Sequence, residues 1–262
     1  MELGLKNKNI VITGGTVGIG KACVDAFLAE GCSVCICARR EDKLAALREA
    51  YAGKPILALQ ADIASLKDME NLAKEANDRF GKINVWVNNA GIYPRSYLMD
   101  MHPEEWRKLF SVNLDGTYNG CRAAFPYMKK QGGGVILNAA SFATIMPAAG
   151  TGAYAISKAA IHQMTRVLAA ELAPYKIRVA TYIPGVTDTE LTTDLIAENN
   201  EDRLLKPVAQ RRVASADEIA NVVVFLASDA ASFITGTSIE ASGGKYCVQN
   251  PWAPWQKAAA AK

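Results

Sequence analysis

Short runs of apolar residues alternate along the chain with longer stretches whose apolar positions recur at helical spacing. The runs at Asn9–Thr13, Ser33–Ala38, Ile56–Gln60, Val85–Val87, Gly134–Asn138 and Arg178–Tyr182 predict strands. Between them, Ile19–Glu30, Asp42–Tyr51, Leu66–Phe80, Glu104–Lys130 and Ala153–Ala173 carry the spacing and charge patterning of helices. Ile10-Val11-Ile12 and Val34-Cys35-Ile36 are unbroken, as in strands covered on both faces. Strict alternation predicts a parallel sheet with right-handed crossovers and helices on both sides. The rhythm pauses over residues 184–206, then resumes with a helix at Ala216–Ser228 and a strand near Ser238–Ala241. No linker interrupts it. The pattern predicts one α/β domain over residues 1–262, a doubly wound sheet of about seven strands. From Tyr246 onward, Pro251-Trp252-Ala253-Pro254-Trp255 predicts an irregular tail, with the two Trp capping a neighbouring subunit or covering the sheet edge.

Composition narrows the class of partner. Of 262 residues, 50% are hydrophobic and 21% charged, and the formal net charge is +3. That balance gives no reason to expect nucleic acid or an anionic membrane surface. No apolar run approaches the roughly 20 residues that span a bilayer, and Met1 to Asn9 is too polar for a signal peptide. A cytoplasmic protein is expected. The stretch holding Cys32, Cys35 and Cys37 contains a C-x-x-C, Cys32 with Cys35, but on a strand residues three apart point to opposite faces. Buried thiols are therefore expected there, and no metal centre.

Chemistry first shows after the first strand, in Thr13-Gly14-Gly15-Thr16-Val17-Gly18-Ile19-Gly20. Glycines allow a sharp turn and close approach of a ligand, and the following helix offers unpaired N–H groups to an anion. Between a strand and a helix, this is the setting of a dinucleotide pyrophosphate cradle, with Gly14, Thr16, Gly18, Ile19 and Gly20 as its parts. The end of the second strand reads Ala38-Arg39-Arg40, where an acidic residue would favour a free ribose 2′-hydroxyl. A guanidinium there suits a 2′-phosphate, so NADP(H) is favoured over NAD(H). Two solvated arginines at a helix start are the plainer alternative.

Tyr154 and Lys158 stand four apart on a predicted helix, hence on one face. A tyrosine with pKa near 10 is too weak an acid for efficient proton transfer at neutral pH, and a nearby ammonium is expected to lower it. Ser141 follows the fifth predicted strand, at the carboxyl edge where open α/β sheets bind ligands.

These motifs together resemble the short-chain dehydrogenase/reductase family over essentially the whole chain. Its T-G-x-x-x-G-x-G matches Thr13 to Gly20, and its N-N-A-G matches Asn88-Asn89-Ala90-Gly91. The helix asparagine matches Asn113, the serine Ser141, Y-x-x-x-K Tyr154 and Lys158, and P-G-x-x-x-T Pro184-Gly185 with Thr189. The resemblance implies a Rossmann-like fold. It implies that Tyr154 exchanges a proton with the substrate oxygen, that Ser141 hydrogen-bonds that oxygen, and that Lys158 lowers the tyrosine pKa and holds the nicotinamide ribose. Asn113 then supports a relay water, and no metal is needed. Further cofactor contacts are implied at Asp62, Ile63, Asn89, Ala90, Gly91, Val186 and Thr187. Val17 stands where some NADP-preferring relatives carry a basic residue, which leaves the discrimination largely to Arg39.

The resemblance also places the substrate among Tyr93, Ser141, Phe142, Ile145, Met146, Tyr154, Leu191 and Leu195, under a loop over residues 187–206. An apolar lining suits a hydrophobic ketone or secondary alcohol such as a steroid or bile acid; hydrophobes that only pack a lid are the alternative. Two other functions stay open. A 3-oxoacyl-(acyl-carrier-protein) reductase wants a basic docking surface beside the site, and Lys129 and Lys130 alone do not make one. A non-catalytic NADP-sensing module keeps the fold without turnover. A homotetramer is implied, in contact through the long helices Glu104–Lys130 and Ala153–Ala173.

Overall fold

Seven strands form one wholly parallel sheet: β1 (Asn9–Thr13), β2 (Ser33–Ala38), β3 (Ile56–Gln60), β4 (Val85–Asn88), β5 (Gly134–Ala139), β6 (Ile177–Pro184) and β7 (Ser238–Ala241). Their order across the sheet is β3-β2-β1-β4-β5-β6-β7. The computed structural model describes residues 3–198 and 204–260. Helices α1 (Gly18–Ala29), α2 (Glu41–Ala50), α3 (Leu66–Phe80), α4 (Pro103–Phe110), α5 (Gly116–Gln131) and α6 (Gly152–Leu172) follow the strands. They are completed by α7 (Thr193–Glu198), α8 (Ala216–Ala227) and α9 (Ala253–Ala260).

Alternate residues of the strands feed two cores. Ile10 and Ile12 of β1 face α1 and α8, packing with Phe27, Val223 and Leu226. Val11 points the other way, into a cluster with Trp86, Met69, Leu72 and Met128 from the α3 and α5 side. Each side chain buried this fully contributes roughly 1.5–3 kcal/mol. The same alternation separates the thiols. Cys32 lies in the first core, and Cys35 and Cys37 in the second. All six cysteines are free thiols and five are buried. Burial raises Cys23, Cys37 and Cys121 to about 12, which leaves them inert at neutral pH.

Two expected elements come out differently. The predicted helix Glu104–Lys130 is interrupted by a π-helical segment, Ser111–Asp115, between α4 and α5. Hydrophobic periodicity runs on through such a bulge, because only one residue of register is absorbed. The tail is not irregular throughout: Ala253–Ala260 is α9. Pro254 sits in its first turn, where the N–H it lacks has no intrahelical partner to lose. Trp255 Nε1 donates to the Ala209 carbonyl at 2.8 Å, and the Lys206 ammonium lies 5.1 Å from the Trp252 ring centre. These contacts tie the tail to the end of the 187–206 loop and the residues just after it. Of that loop, residues 199–203 lie outside the described residues. No helix among the described residues is long and apolar enough to cross a membrane.

The strand order matters for function. From β1 the chain winds outward through β2 and β3, then returns to place β4 on the other side of β1. A crevice opens at the carboxyl ends of β1 and β4, where the connections diverge. The glycine turn and Asn89-Ala90-Gly91 both emerge there.

Candidate active site

The glycine turn is built so that a ligand can reach its backbone. Gly14 has φ +69°, a conformation that strains any residue with a Cβ. A Cβ on Gly20 would lie 2.1 Å from the Gly14 carbonyl oxygen, so α1 can approach the turn only with glycine there. The N-terminus of α1 has no side-chain cap and no acidic residue in its first turn. In contrast, Ser65 caps α3, and Ser215 with Glu218 forms a capping box on α8. A helix end left open beside a glycine cradle fits an anionic pyrophosphate. Asn89 holds the cradle in shape. Its Nδ2 donates to the carbonyls of Thr13 (3.2 Å) and Gly14 (3.3 Å), and its Oδ1 accepts from the Tyr182 hydroxyl at 3.1 Å. Thr13 Oγ1 accepts from the N–H groups of Asn89 and Ala90. Thr13 and Tyr182 were not flagged by sequence motifs as site residues; both act by fixing Asn89.

A cavity of about 620 Å³ runs from this turn along the carboxyl edge of the sheet. Of the residues expected to touch the cofactor, Gly14, Thr16, Gly18, Ile19, Arg39, Arg40, Asp62, Ile63, Asn89, Ala90, Gly91, Pro184, Gly185, Val186, Thr187 and Thr189 line it. Gly20 does not. It is buried behind the turn, and its role is to permit the close approach of α1. Asp62 Oδ1 accepts from the Ala64 N–H at 3.0 Å, which fixes its carboxylate at the cavity wall. Arg40 pairs with Glu190 at 3.2 Å across the cavity mouth. Arg39 is exposed and has no acidic partner among the described residues. Of the substrate candidates, Tyr93, Ser141, Phe142, Met146, Tyr154, Leu191 and Leu195 line the cavity. Ile145 does not; it and Met146, the two residues after the 3₁₀ turn Phe142–Thr144, are both exposed (51% and 47%), but only Met146 borders the cavity. Lys245, Thr151 and Ala148 also line the cavity, and no sequence motif had singled them out.

The candidate proton-transfer group is assembled from β5 and α6. Ser141 follows the end of β5, and its Oγ caps the 3₁₀ turn by accepting from the Ala143 N–H at 3.2 Å. Ser141 acts on the Tyr154 hydroxyl in the direction that favours its ionised form. The Tyr93 ring meets Tyr154 edge-on at 4.7 Å between centroids. Lys158, one turn beyond Tyr154, is 4% exposed and donates to the Ala139 carbonyl at 2.9 Å. Asn113 is fully buried behind the wall, within the π-helical segment. Its Oδ1 accepts from the Ile92 N–H (2.8 Å), while its Nδ2 donates to the Ile92 carbonyl (3.0 Å) and Ser157 Oγ (3.2 Å). That reciprocal pair pins the strand of chain after Gly91. The side chain is thus a clamp on the site.

One expectation is overturned. The Tyr154 phenol is not made more acidic in this structure; burial pushes it up to about 12, against the smaller opposing influence of Ser141. The neighbouring ammonium does not offset this. Burial lowers Lys158 itself to about 8, its Nζ is turned to the Ala139 carbonyl, and it stands 5.8 Å from the Tyr154 ring centre. Desolvation outweighs charge proximity for both groups. The tyrosine is therefore a protonated acid throughout the neutral range.

Comparison with known proteins agrees with this architecture. A family model described as enoyl-(acyl carrier protein) reductase matches residues 14–245. A 3α-hydroxysteroid dehydrogenase of Mediterraneibacter gnavus is 34% identical over 247 residues, covering 93% of this chain and 98% of that protein. A 3-oxoacyl-(acyl-carrier-protein) reductase of Staphylococcus epidermidis is also 34% identical, covering 92% of this chain and 99% of its own. Among solved structures, a short-chain type dehydrogenase/reductase from Mycobacterium marinum matches with a TM-score of 0.88 at 31% identity, covering 94% of this chain and 98% of that one. A gluconate 5-dehydrogenase from Burkholderia cenocepacia, solved with NADP and tartrate, matches at 0.89 and 30% identity with the same coverages. With its Rossmann-like sheet, its glycine cradle and its Ser141, Tyr154 and Lys158 on one cavity, the chain belongs to the short-chain dehydrogenase/reductase family and is an oxidoreductase of that type.

Proposed function

We propose that this protein interconverts a ketone and a secondary alcohol using NADP(H), on a hydrophobic substrate of steroid or bile-acid type. The observation that carries the reading is the meeting of Ser141, Tyr154 and Lys158 on the wall of the cavity that begins at the glycine turn. The nicotinamide, when bound, supplies or accepts the hydride. In reduction, the Tyr154 hydroxyl gives its proton to the substrate oxygen, and Ser141 Oγ holds that oxygen by hydrogen bond. Lys158 supplies positive charge close to the phenolate left behind and holds the ribose. Asn113 acts by positioning, through Ile92, and its segment supports the water that returns the proton. The protein orients the reactants and excludes solvent.

Arg39 supports NADP(H), since its exposed guanidinium lies at the cavity without a carboxylate of its own. Phe142, Met146, Leu191 and Leu195 supply the apolar wall that supports a hydrophobic substrate. For a carrier-protein reductase, Lys129 and Lys130 supply no docking surface beside the site. Lys129 and Lys130 end α5 just before β5 begins, at the amino edge of the sheet and away from the cavity. Lys129 is also spent on its own aromatic neighbours, 4.8 Å from the Tyr175 ring centre. Assembly as a homotetramer is supported by Trp106, Tyr118, Ile156 and Val167, large apolar residues exposed on α4, α5 and α6; light scattering that returns a monomer mass would remove it. Five buried free thiols suit the reducing cytoplasm.

A panel of ketones, followed by NADPH absorbance beside NADH, tests the proposal. Turnover of 3-oxo or 7-oxo steroids with NADPH ahead of NADH is expected. Confinement of turnover to 3-oxoacyl thioesters of carrier protein would favour the other enzyme, and loss of all turnover with cofactor binding intact would favour a sensor.

A further inference from the structure

The apolar wall of the cavity contains one cation that the reaction does not use. Lys245 follows the tight turn of Gly243 and Gly244, both at positive φ, and lines the same cavity as Tyr154. Its backbone is held firmly. The Lys245 N–H donates to Ser242 Oγ at 3.2 Å, a bridge pairs it with Val208, and the next N–H, of Tyr246, donates to the Pro207 carbonyl at 2.8 Å. The side chain is only partly exposed, and its ammonium lies 5.0 Å from the centre of the Phe142 ring. Phe142 is the residue next to Ser141.

No acidic partner meets this ammonium among the described residues. The two carboxylates on the cavity wall are committed elsewhere, Asp62 to the Ala64 N–H and Glu190 to Arg40. Burial against apolar surface holds the Lys245 pKa below the usual lysine value, with no coulombic contribution to offset it. A half-desolvated cation over an aromatic face, unpaired and facing a ligand cavity, is costly unless something anionic meets it.

We propose that Lys245 is a specificity residue that receives a carboxylate carried by the substrate. The substrate class is then an apolar ketone or alcohol bearing an acid group, with Phe142, Met146, Leu191 and Leu195 on the apolar part and Lys245 on the charge. The proposal rests on the site reading above and narrows it. A charge-assisted contact of this kind favours an acid over its neutral ester by about tenfold or more.

The test compares matched pairs: 3-oxo-5β-cholanic acid with its methyl ester, and 4-acetylbenzoate with its methyl ester. Binding is measured by calorimetry, with and without saturating NADP+, on the wild-type protein, Lys245→Met and Lys245→Arg. The expected result is a pair whose acid binds at least tenfold more tightly, with the preference lost in Lys245→Met and retained in part by Lys245→Arg. No acid preference in the wild type, a preference that survives Lys245→Met, or one absent from Lys245→Arg overturns the proposal. NADPH oxidation on the same pairs separates the two readings. Equal turnover of acid and ester leaves the reductase standing without a role for Lys245. Acid-selective binding without any turnover leaves Lys245 standing and removes the reductase.

Discussion

The Lys158 ammonium stands 5.8 Å from the centre of the Tyr154 ring, and burial moves both groups toward their neutral forms. The pair is thus poised as an acid beside a cation that titrates near pH 8, a different balance from a phenol that is already acidic.

A pH dependence follows. Below about pH 8 Lys158 is charged and can stabilise the phenolate formed as Tyr154 gives up its proton. Above it that charge is lost while Tyr154 is still protonated. Ketone reduction is expected to fall as pH rises through about 8, and Lys158→Arg should move that limb upward. A kcat profile for reduction, measured between pH 6 and pH 10 in steps of about one unit, checks both.

The same lysine should lower stability. Its folded pKa of about 8 lies beneath the ordinary 10.5, so the unfolded chain binds more protons between those values. The cost is fully present below pH 8 and disappears as pH rises toward 10.5. Its size is roughly 3 kcal/mol from the shift. Lys158→Met is expected to raise the thermal midpoint at pH 7 by several degrees while losing activity, with the gap closing in alkaline buffer. A midpoint unchanged or lowered at pH 7 would go against this.

Cofactor choice is expected to turn on Arg39. Arg40 already has Glu190, whereas Arg39 has no acidic partner among the described residues. Arg39→Ala should raise the KM for NADPH by about tenfold or more and alter that for NADH little, as expected for the loss of a charge-assisted contact to a phosphate. Equal changes for the two cofactors would show that Arg39 does not read the 2′-phosphate.

Gly20 offers a purely steric test. A Cβ there meets the Gly14 carbonyl at 2.1 Å, so Gly20→Ala must push α1 away from the turn. Weaker NADPH binding together with a lower thermal midpoint is expected, whereas Gly53→Ala, strained by its φ of +79° but with open space around its Cβ, should lower the midpoint and leave NADPH binding alone.

Much of this architecture is legible in the residues themselves, and the gaps have physical reasons. Apolar runs such as Ile10-Val11-Ile12 mark buried strands because parallel strands are covered on both faces. The glycine turn and the Tyr154–Lys158 spacing are local, so sequence carries them directly. The π-helical segment at Asn113 is invisible to periodicity, since it shifts register without breaking the apolar pattern. Pro254 reads as a breaker but falls in a first turn, where it is tolerated. Spacing puts Lys158 next to Tyr154 but says nothing of desolvation, which reverses the expected pKa. Lys245 reaches the cavity only through the turn at Gly243 and Gly244, a matter of three-dimensional return and not of motif.

The most direct test of the account is Tyr154→Phe, which removes one hydroxyl and keeps the ring that packs against Tyr93. NADPH-dependent turnover of any ketone the wild type reduces should fall by several orders of magnitude, with the affinity for NADPH and the thermal midpoint little changed. Turnover within a few-fold of the wild type would contradict the assignment of Tyr154 as the proton donor.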